Sequence, residues 1–166
     1  VCRERGFPVI QKPVEEVDPD DCQAVFASAF EVLEHVFDPL SFLRSIRSLI
    51  RPEGLLLLTT LTSSGFDIQV LWEESKSVFP PHHINLISVK GMKRLVERAG
   101  FHVVDVQTPG QLDVDIVANT LKESPDLQLP RFVKSLLRQD QPGKDDFQRF
   151  LSKNQLSSHI RVVAQV

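Results

Sequence analysis

Apolar residues along this chain fall into short continuous runs, separated by longer stretches in which they recur every three or four positions. That alternation predicts buried strands interleaved with amphipathic helices. Ala24-Val25-Phe26-Ala27 is the first clear run and reads as a parallel strand covered on both faces, ending at Ser28. Asp38-Pro39 then supplies a helix start, an N-cap acceptor followed by proline at the first helical position, where a missing N–H costs nothing. Leu40, Leu43, Ile46, Leu49 and Ile50 form one apolar stripe, with Arg44, Arg47 and Arg51 largely outside it. Pro52-Glu53-Gly54 is expected to stop this helix, and Leu55 to Leu58 to follow as a second apolar strand.

The pattern continues downstream. Ser88 predicts a cap for a helix over Val89 to Ala99 with Met92, Leu95 and Val96 inward, and Gly100 ends it before a strand from Phe101 to Val106. Residues 61–81 form a long connection containing the only tryptophan, Trp72, and connections of that length in compact domains are commonly functional. Near the start, Pro8-Val9-Ile10 reads as a short strand and Asp18-Pro19-Asp20-Asp21 as a turn. The segment 110–158 intervenes before a last apolar strand, Ile160 to Val166. Its stripes are Leu112, Ile116, Val117 and Leu121, then Phe132, Val133, Leu136 and Leu137, then Phe147, Phe150 and Leu151. With Ser124-Pro125 and Gln141-Pro142-Gly143 as separators, they predict a helical insertion. Core packing is the simplest use of these stripes; a cap over a pocket and a dimer surface are the alternatives.

Composition narrows the function class. The 166 residues, 42% hydrophobic and 25% charged, suit one globular domain with an ordinary core. A net charge of −3, with Lys and Arg scattered, argues against a nucleic-acid footprint, so a small molecule is the default substrate. The chain lacks both a membrane-length apolar run and a signal-peptide layout at its first residues, which predicts a soluble, cytoplasmic protein without a membrane partner. Cys2 and Cys22 have no metal or redox spacing and read as incidental reduced thiols.

The polar residues gather where the first strand ends. Glu31-Val32-Leu33-Glu34-His35-Val36, then Asp38-Pro39 and a helix, then Arg51-Pro52-Glu53-Gly54 and an apolar strand, resembles the middle of a class I S-adenosylmethionine (SAM) dependent methyltransferase, especially the ubiquinone-biosynthesis O-methyltransferase type. Pro80-Pro81-His82-His83-Ile84-Asn85 and the helix and strand after it resemble the later part of the same family, and together the blocks cover about residues 5–108. Glu53 stands where the family usually has the first glycine of a Pro-Gly-Gly turn. The family's glycine-rich cofactor loop is missing, because no two of the seven glycines lie close enough to form it. The resemblance therefore implies the C-terminal part of a longer enzyme, truncated at its N-terminus by two strands and their helices, on the order of 60 to 80 residues.

Site residues follow from the resemblance. Ala29 and Phe30 match the position lining the methionine end of SAM, and Val14 with Glu15 the adenine end, although Lys12-Pro13 replaces a common acidic residue. Glu31, Glu34 and His35 form an E-x-x-E-H run that in some relatives implies a divalent metal beside the acceptor; the same residues can instead brace the loop and cap the next helix. His35, His82 and His83 are the candidate catalytic groups, since an imidazole is suited to take a hydroxyl proton. Neighbours in extended chain point opposite ways, so only one of His82 and His83 is expected to face the pocket. Trp72 and Phe79 read as packing or as walls for an aromatic acceptor, while His102 and His159 read as structural.

The expected architecture is thus a single partial α/β domain over 1–166, Rossmann-like, with a helical insertion before a last, antiparallel strand. A four-stranded sheet with exposed edges invites a homodimer. The expected function is SAM-dependent methyl transfer to a small-molecule acceptor, the isolated chain being inactive; the alternative is a cofactor-free docking or dimerisation module.

Overall fold

The computed structural model describes residues 2–166. In chain order the elements are β1 (Ala24–Phe30), α1 (Pro39–Ser48), β2 (Ile50–Leu61), α2 (Phe66–Leu71), α3 (Val89–Arg98), β3 (His102–Gln107), α4 (Asp113–Glu123), α5 (Arg131–Leu137), α6 (Gln141–Lys153) and β4 (His159–Gln165). The strands form one sheet in the order β1-β2-β4-β3. β1 and β2 are parallel, whereas β4 runs antiparallel to both β2 and β3. This is the expected four-stranded sheet with an antiparallel last strand.

Local chemistry sets the helix starts where the sequence places them. Asp38 Oδ1 accepts from the N–H groups of Leu40 and Ser41, both at 3.0 Å, with Pro39 at N1. Ser88 Oγ accepts from Gly91 N–H at 3.1 Å, and Gly100 closes α3 with φ +97°. A side chain at Gly100 would also meet Arg47, whose Nε donates to the Gly100 carbonyl at 2.9 Å and ties the α3–β3 turn to α1.

Three expectations are corrected. Ile50 belongs to β2, not to α1, and Pro52-Glu53-Gly54 lies inside the irregular start of β2. There Glu53 adopts φ +66° and the β1–β2 register shifts between Ala24 and Phe26, so the turn chemistry produces a strand irregularity rather than a helix stop. Pro8-Val9-Ile10 forms no strand, as it has no neighbour to complete a ladder, and Phe7, Val9 and Ile10 are exposed. Gln141-Pro142-Gly143 is the first turn of α6, capped by Asp140 Oδ1 accepting from Gly143 N–H at 3.0 Å. Part of the 61–81 connection is helical as well, as α2 and a short turn over Trp72–Glu74.

The main core lies on one face of the sheet. Leu56, Leu58, Ile160, Val162 and Ala164 pack with Phe42, Leu43 and Ile46 of α1 and Met92 and Val96 of α3. Phe26, Phe30, Leu55 and Val104 are exposed, so β1 and its neighbours are covered on one side only among the described residues, contrary to the expected double cover. A second core joins Leu71 of α2, Val117 of α4, Leu129 in the connection before α5 and Val133 of α5, which makes the insertion a subassembly docked through α2. Its stripes are only partly core, since Leu112 and Phe132 are 63% and 67% exposed. No helix among the described residues is long and apolar enough to cross a membrane.

A buried polar cluster fastens the insertion to the sheet. Asp113 at the start of α4 accepts from Ser158 N–H at 2.7 Å, Ser157 Oγ at 2.5 Å and Gln148 Nε2 at 2.7 Å. Asp67 of α2 is completely buried, and neither carboxylate oxygen has a hydrogen-bond partner. Burial first, and then the Asp113 carboxylate, raises its pKa from 3.8 to about 6.

Two outcomes follow. Leu58→Ala, at a fully buried position on the covered face, should lower the unfolding free energy by about 2 to 5 kcal/mol, and Phe26→Ala on the open face by less than about 1 kcal/mol, as read by urea denaturation. The Asp67 shift is upward, so its ionisation opposes folding as pH rises from about 4 through 6. Asp67→Asn should therefore raise Tm by a margin that grows across that interval and levels off above it.

Candidate active site

Strand ends create the site. β1 and β2 finish side by side, with Phe30 opposite Thr59, and antiparallel β4 begins at the same edge, with His159 opposite Leu61. Glu31 leaves β1 with φ +50° while its N–H still donates to the Thr59 carbonyl at 2.9 Å. Its Oε1 accepts from Thr59 Oγ1 at 2.7 Å and lies 2.9 Å from His159 Nε2. The His159 hydrogen bond is the main cause holding the Glu31 carboxyl below its ordinary pKa, and the same bond raises that of His159. Glu31 and His159 thus form a half-exposed ion pair across three strands.

Glu34, three residues on, is far more buried than Glu31. It is 2% exposed, and its Oε2 accepts from the Thr60 hydroxyl at 2.6 Å. Its carbonyl accepts from the N–H groups of Ile84 and Asn85 at 2.8 and 3.1 Å. Asn85 Nδ2 donates in turn to the carbonyls of Leu33 and Val36 at 3.2 and 2.5 Å. These bonds stitch the loop around His83 onto the loop that follows β1.

The stitching brings two histidines together. His35 and His83 have ring centroids 4.9 Å apart, and His35 Nε2 lies 4.0 Å from Glu34 Oε1. His35 Nδ1 is 2.7 Å from the His82 carbonyl and His83 Nδ1 is 2.9 Å from the Ser77 carbonyl. A carbonyl can only accept, so each ring carries a proton on Nδ1 and directs Nε2 away from that bond. Glu34, His35 and His83 each offer a ligand atom, all within 4.8 Å of one another. His82 turns outward and stacks on Phe79 at 5.2 Å, so of the adjacent pair it is His83 that faces the site.

Beside this cluster a cavity of about 440 Å³ is lined by Leu61, Ser77, Asp113, Ile116, Ser158 and His159, among others. It lies between the strand edge and the first turn of α4. Residues from both polar clusters touch it, His159 through the Glu31 pair and Ser77 through the His83 bond.

Residues 4–106, well over half of the chain, match the family described as "Methyltransferase domain". The chain belongs to that family. Its fold is the class I SAM-dependent methyltransferase fold, as the sequence pattern implies. A relative, the ubiquinone biosynthesis O-methyltransferase of Ruegeria pomeroyi, is 31% identical over 86 residues, covering 43% of this chain and 34% of that protein. Among solved structures, a SAM-dependent methyltransferase from Archaeoglobus fulgidus superposes with TM-score 0.56 at 12% identity, over 98% of this chain and 69% of that one. The [4+2]-cyclase SpnF does so with TM-score 0.53 at 16% identity, over 99% and 58%. The chain thus spans about a third of the curated relative it matches.

Within this methyltransferase domain the expected residues are divided between two places. Ala29 packs its side chain into the main core, leaving only backbone toward a ligand, while Phe30 is exposed at the strand end. Val14 and Glu15 occupy a short turn over Val14–Glu16; Val14 packs against the main core beside α1, and Glu15 is solvent-exposed. Gly65 is required by packing, since a Cβ there would sit 2.2 Å from Ser158 Cα. Ala29 and Phe30 thus stand at the end of β1 and Val14 and Glu15 in the turn beside α1.

Sequence reasoning read His159 as structural and singled out neither Thr59 nor Thr60, and the structure joins all three to the carboxylates at the strand edge. The signal for His159 is register: in an antiparallel last strand the first residue arrives at the C-terminal edge of the parallel ones. Asn85→Ala should cost about 1 to 3 kcal/mol by leaving two carbonyls without their donor. Hydrogen exchange at Ile84 and Asn85 should accelerate more than exchange in β2, reporting that the loop has come loose.

Proposed function

We propose that this chain carries the acceptor-binding side of a SAM-dependent methyltransferase acting on a small molecule, the glycine-rich cofactor side being supplied by a preceding segment of a longer enzyme. The observation that carries the reading is the 440 Å³ cavity at the C-terminal strand edge, enclosed by α4 and touched by both polar clusters. Open α/β sheets bind ligands at this edge. The cavity walls are mostly apolar, with Leu61 and Ile116 suited to hold the body of an acceptor and keep water out, and Ser77, Asp113 and His159 suited to orient a polar atom. SAM, when bound, supplies an electrophilic methyl group. The chain's own contribution is then positioning in a dry pocket, the largest source of acceleration for a two-substrate transfer. Glu31 fixes the orientation of the His159 ring through the hydrogen bond at Nε2. In this reading the insertion is a lid for the acceptor, and α4 is the part that matters.

A docking module remains the second reading, favoured by the uncovered sheet face carrying Phe26, Phe30 and Val104 and by the unpaired edge of β1, through which a second copy could also pair. One pair of measurements separates the two. Calorimetric titration of S-adenosylhomocysteine should show saturable binding to the chain extended at its N-terminus and none to residues 1–166. In the extended protein, Ile116→Trp should fill the cavity, leave that binding unchanged and reduce methyl transfer at least about tenfold. Absence of binding by both forms would overturn the methyltransferase reading and leave the docking module.

A further inference from the structure

The insertion holds a cavity of its own, away from the strand edge. It measures about 490 Å³ and lies among α4, α5 and the first turn of α6. Helical spacing gathers its polar lining: Asn119 and Lys122 on α4, Lys134 and Arg138 on α5, Gln141 and Lys144 at the start of α6. The strand-edge cavity also borders α4, through Asp113 and Ile116, yet the two cavities share no residue. We infer that the cavity in the insertion binds a small organic phosphate, with Lys134, Arg138 and Lys144 on the phosphate and Leu121, Pro125 and Leu137 against its apolar body.

Unbalanced charge carries this inference. Lys122, Lys134, Arg138 and Lys144 line the cavity with one carboxylate, Asp115, a local charge of +3 in a chain whose net charge is −3. Among the described residues none of the four cations is ion-paired, and Lys122 Nζ donates only to the neutral Asn119 Oδ1 at 3.3 Å. Nearby carboxylates are engaged elsewhere: Glu123 pairs with Lys76 at 3.0 Å, Asp146 with Arg149, and Asp145 Oδ1 accepts from Gln141 Nε2 at 2.8 Å. The helix dipoles account for Lys122 and Lys134, which stand in the last turns of α4 and α5. They do not account for Lys144, which lies near the start of α6, where the dipole is positive. Lys134 and Lys144 are also half-buried, so an anion beside them gains more than one beside a fully solvated ammonium.

Charge and size together select the ligand. A monocarboxylate would leave most of the positive charge uncompensated, whereas a phosphomonoester carries about 1.5 to 2 negative charges at pH 7 and three acceptor oxygens. The Arg138 guanidinium offers paired donors that match such a group. The volume lies in the range of small-molecule sites, which leaves room for an organic body beside the phosphate. Leu121 and Leu137, both packed against the second core, and Pro125 supply the apolar surface for it. The cations converge on one concavity, which suits a small ligand rather than the extended stripe that a polynucleotide backbone needs.

The test uses the untagged chain and needs no methyl transfer, so it stands apart from the acceptor reading. Titration calorimetry at low ionic strength should show saturable binding of 1-naphthyl phosphate, at least about tenfold tighter than that of inorganic phosphate or 1-naphthol. Lys134→Met and Lys144→Met should each weaken it at least about fivefold. Ala118→Trp, which fills the cavity without changing its charge, should abolish it. Lys153→Met, at an exposed position of α6 outside the cavity, should leave affinity within about twofold, and circular dichroism should confirm that each variant is folded. Equal weakening by Lys153→Met and Lys144→Met would mean general attraction of anions and overturn the site, as would retained binding in folded Ala118→Trp. Inorganic phosphate binding as tightly as the ester, or the absence of saturable binding, would overturn it outright.

Discussion

The backbone ladder that seats β4 between β2 and β3 is the interaction on which the rest of this structure depends. From Leu55↔Gln165 to Leu61↔His159, it fixes the last strand antiparallel against the middle of the sheet. On its other side β4 pairs with β3, so without it β3 would have no strand partner among the described residues. Ile160, Val162 and Ala164, the alternate residues of that strand, complete the covered face together with Leu56 and Leu58. Register and core are therefore one constraint, because a slip of one residue would turn these three side chains to the open face.

That ladder also builds the site. A parallel strand would bring its C-terminus to the functional edge, but an antiparallel one brings its beginning. His159 thereby meets Glu31 from a sequence separation of 128 residues. The same edge receives the 77–85 loop, held by Asn85 and by the Glu34 carbonyl, with His83 inward and His82 outward. Glu31 and Glu34 follow each other closely in sequence yet hydrogen-bond to different groups on the strands, Glu31 to Thr59 and His159 and Glu34 to Thr60.

The insertion joins this frame through a buried polar cluster as well as through its apolar core with α2. Asp113 takes hydrogen bonds from Ser157, Ser158 and Gln148, so the start of α4, a residue of α6 and the approach to β4 share one carboxylate. Asp67 brings a second carboxylate whose ionisation costs stability, because burial and the nearby Asp113 carboxylate oppose its charge. The apolar surface of the insertion is shared with α2, and part of it remains outside as an aromatic group in which Phe147 meets Phe66 and Phe132 edge-on and stacks with Phe150.

What the amino-acid sequence determined by itself is local. Asp38-Pro39, Ser88 and Gly100 mark helix ends because capping depends on a few adjacent residues, and the apolar runs mark β2, β3 and β4 because a strand buries what it carries. The motif order of Glu31, Glu34, His35 and Asp38-Pro39 likewise sufficed for the family. Only the tertiary structure decided the rest, wherever the deciding partner is distant along the chain. Pro8-Val9-Ile10 has strand composition but no neighbouring strand, and strandhood requires a ladder. Gln141-Pro142-Gly143 has the composition of a break, yet Asp140 capping turns it into a helix start. The choice of His83 over His82, the pairing of Glu31 with His159 and the exposure of Phe26 and Phe132 all follow from which surfaces meet. Periodicity gives the spacing of side chains along one element, and it carries no information on which element arrives opposite.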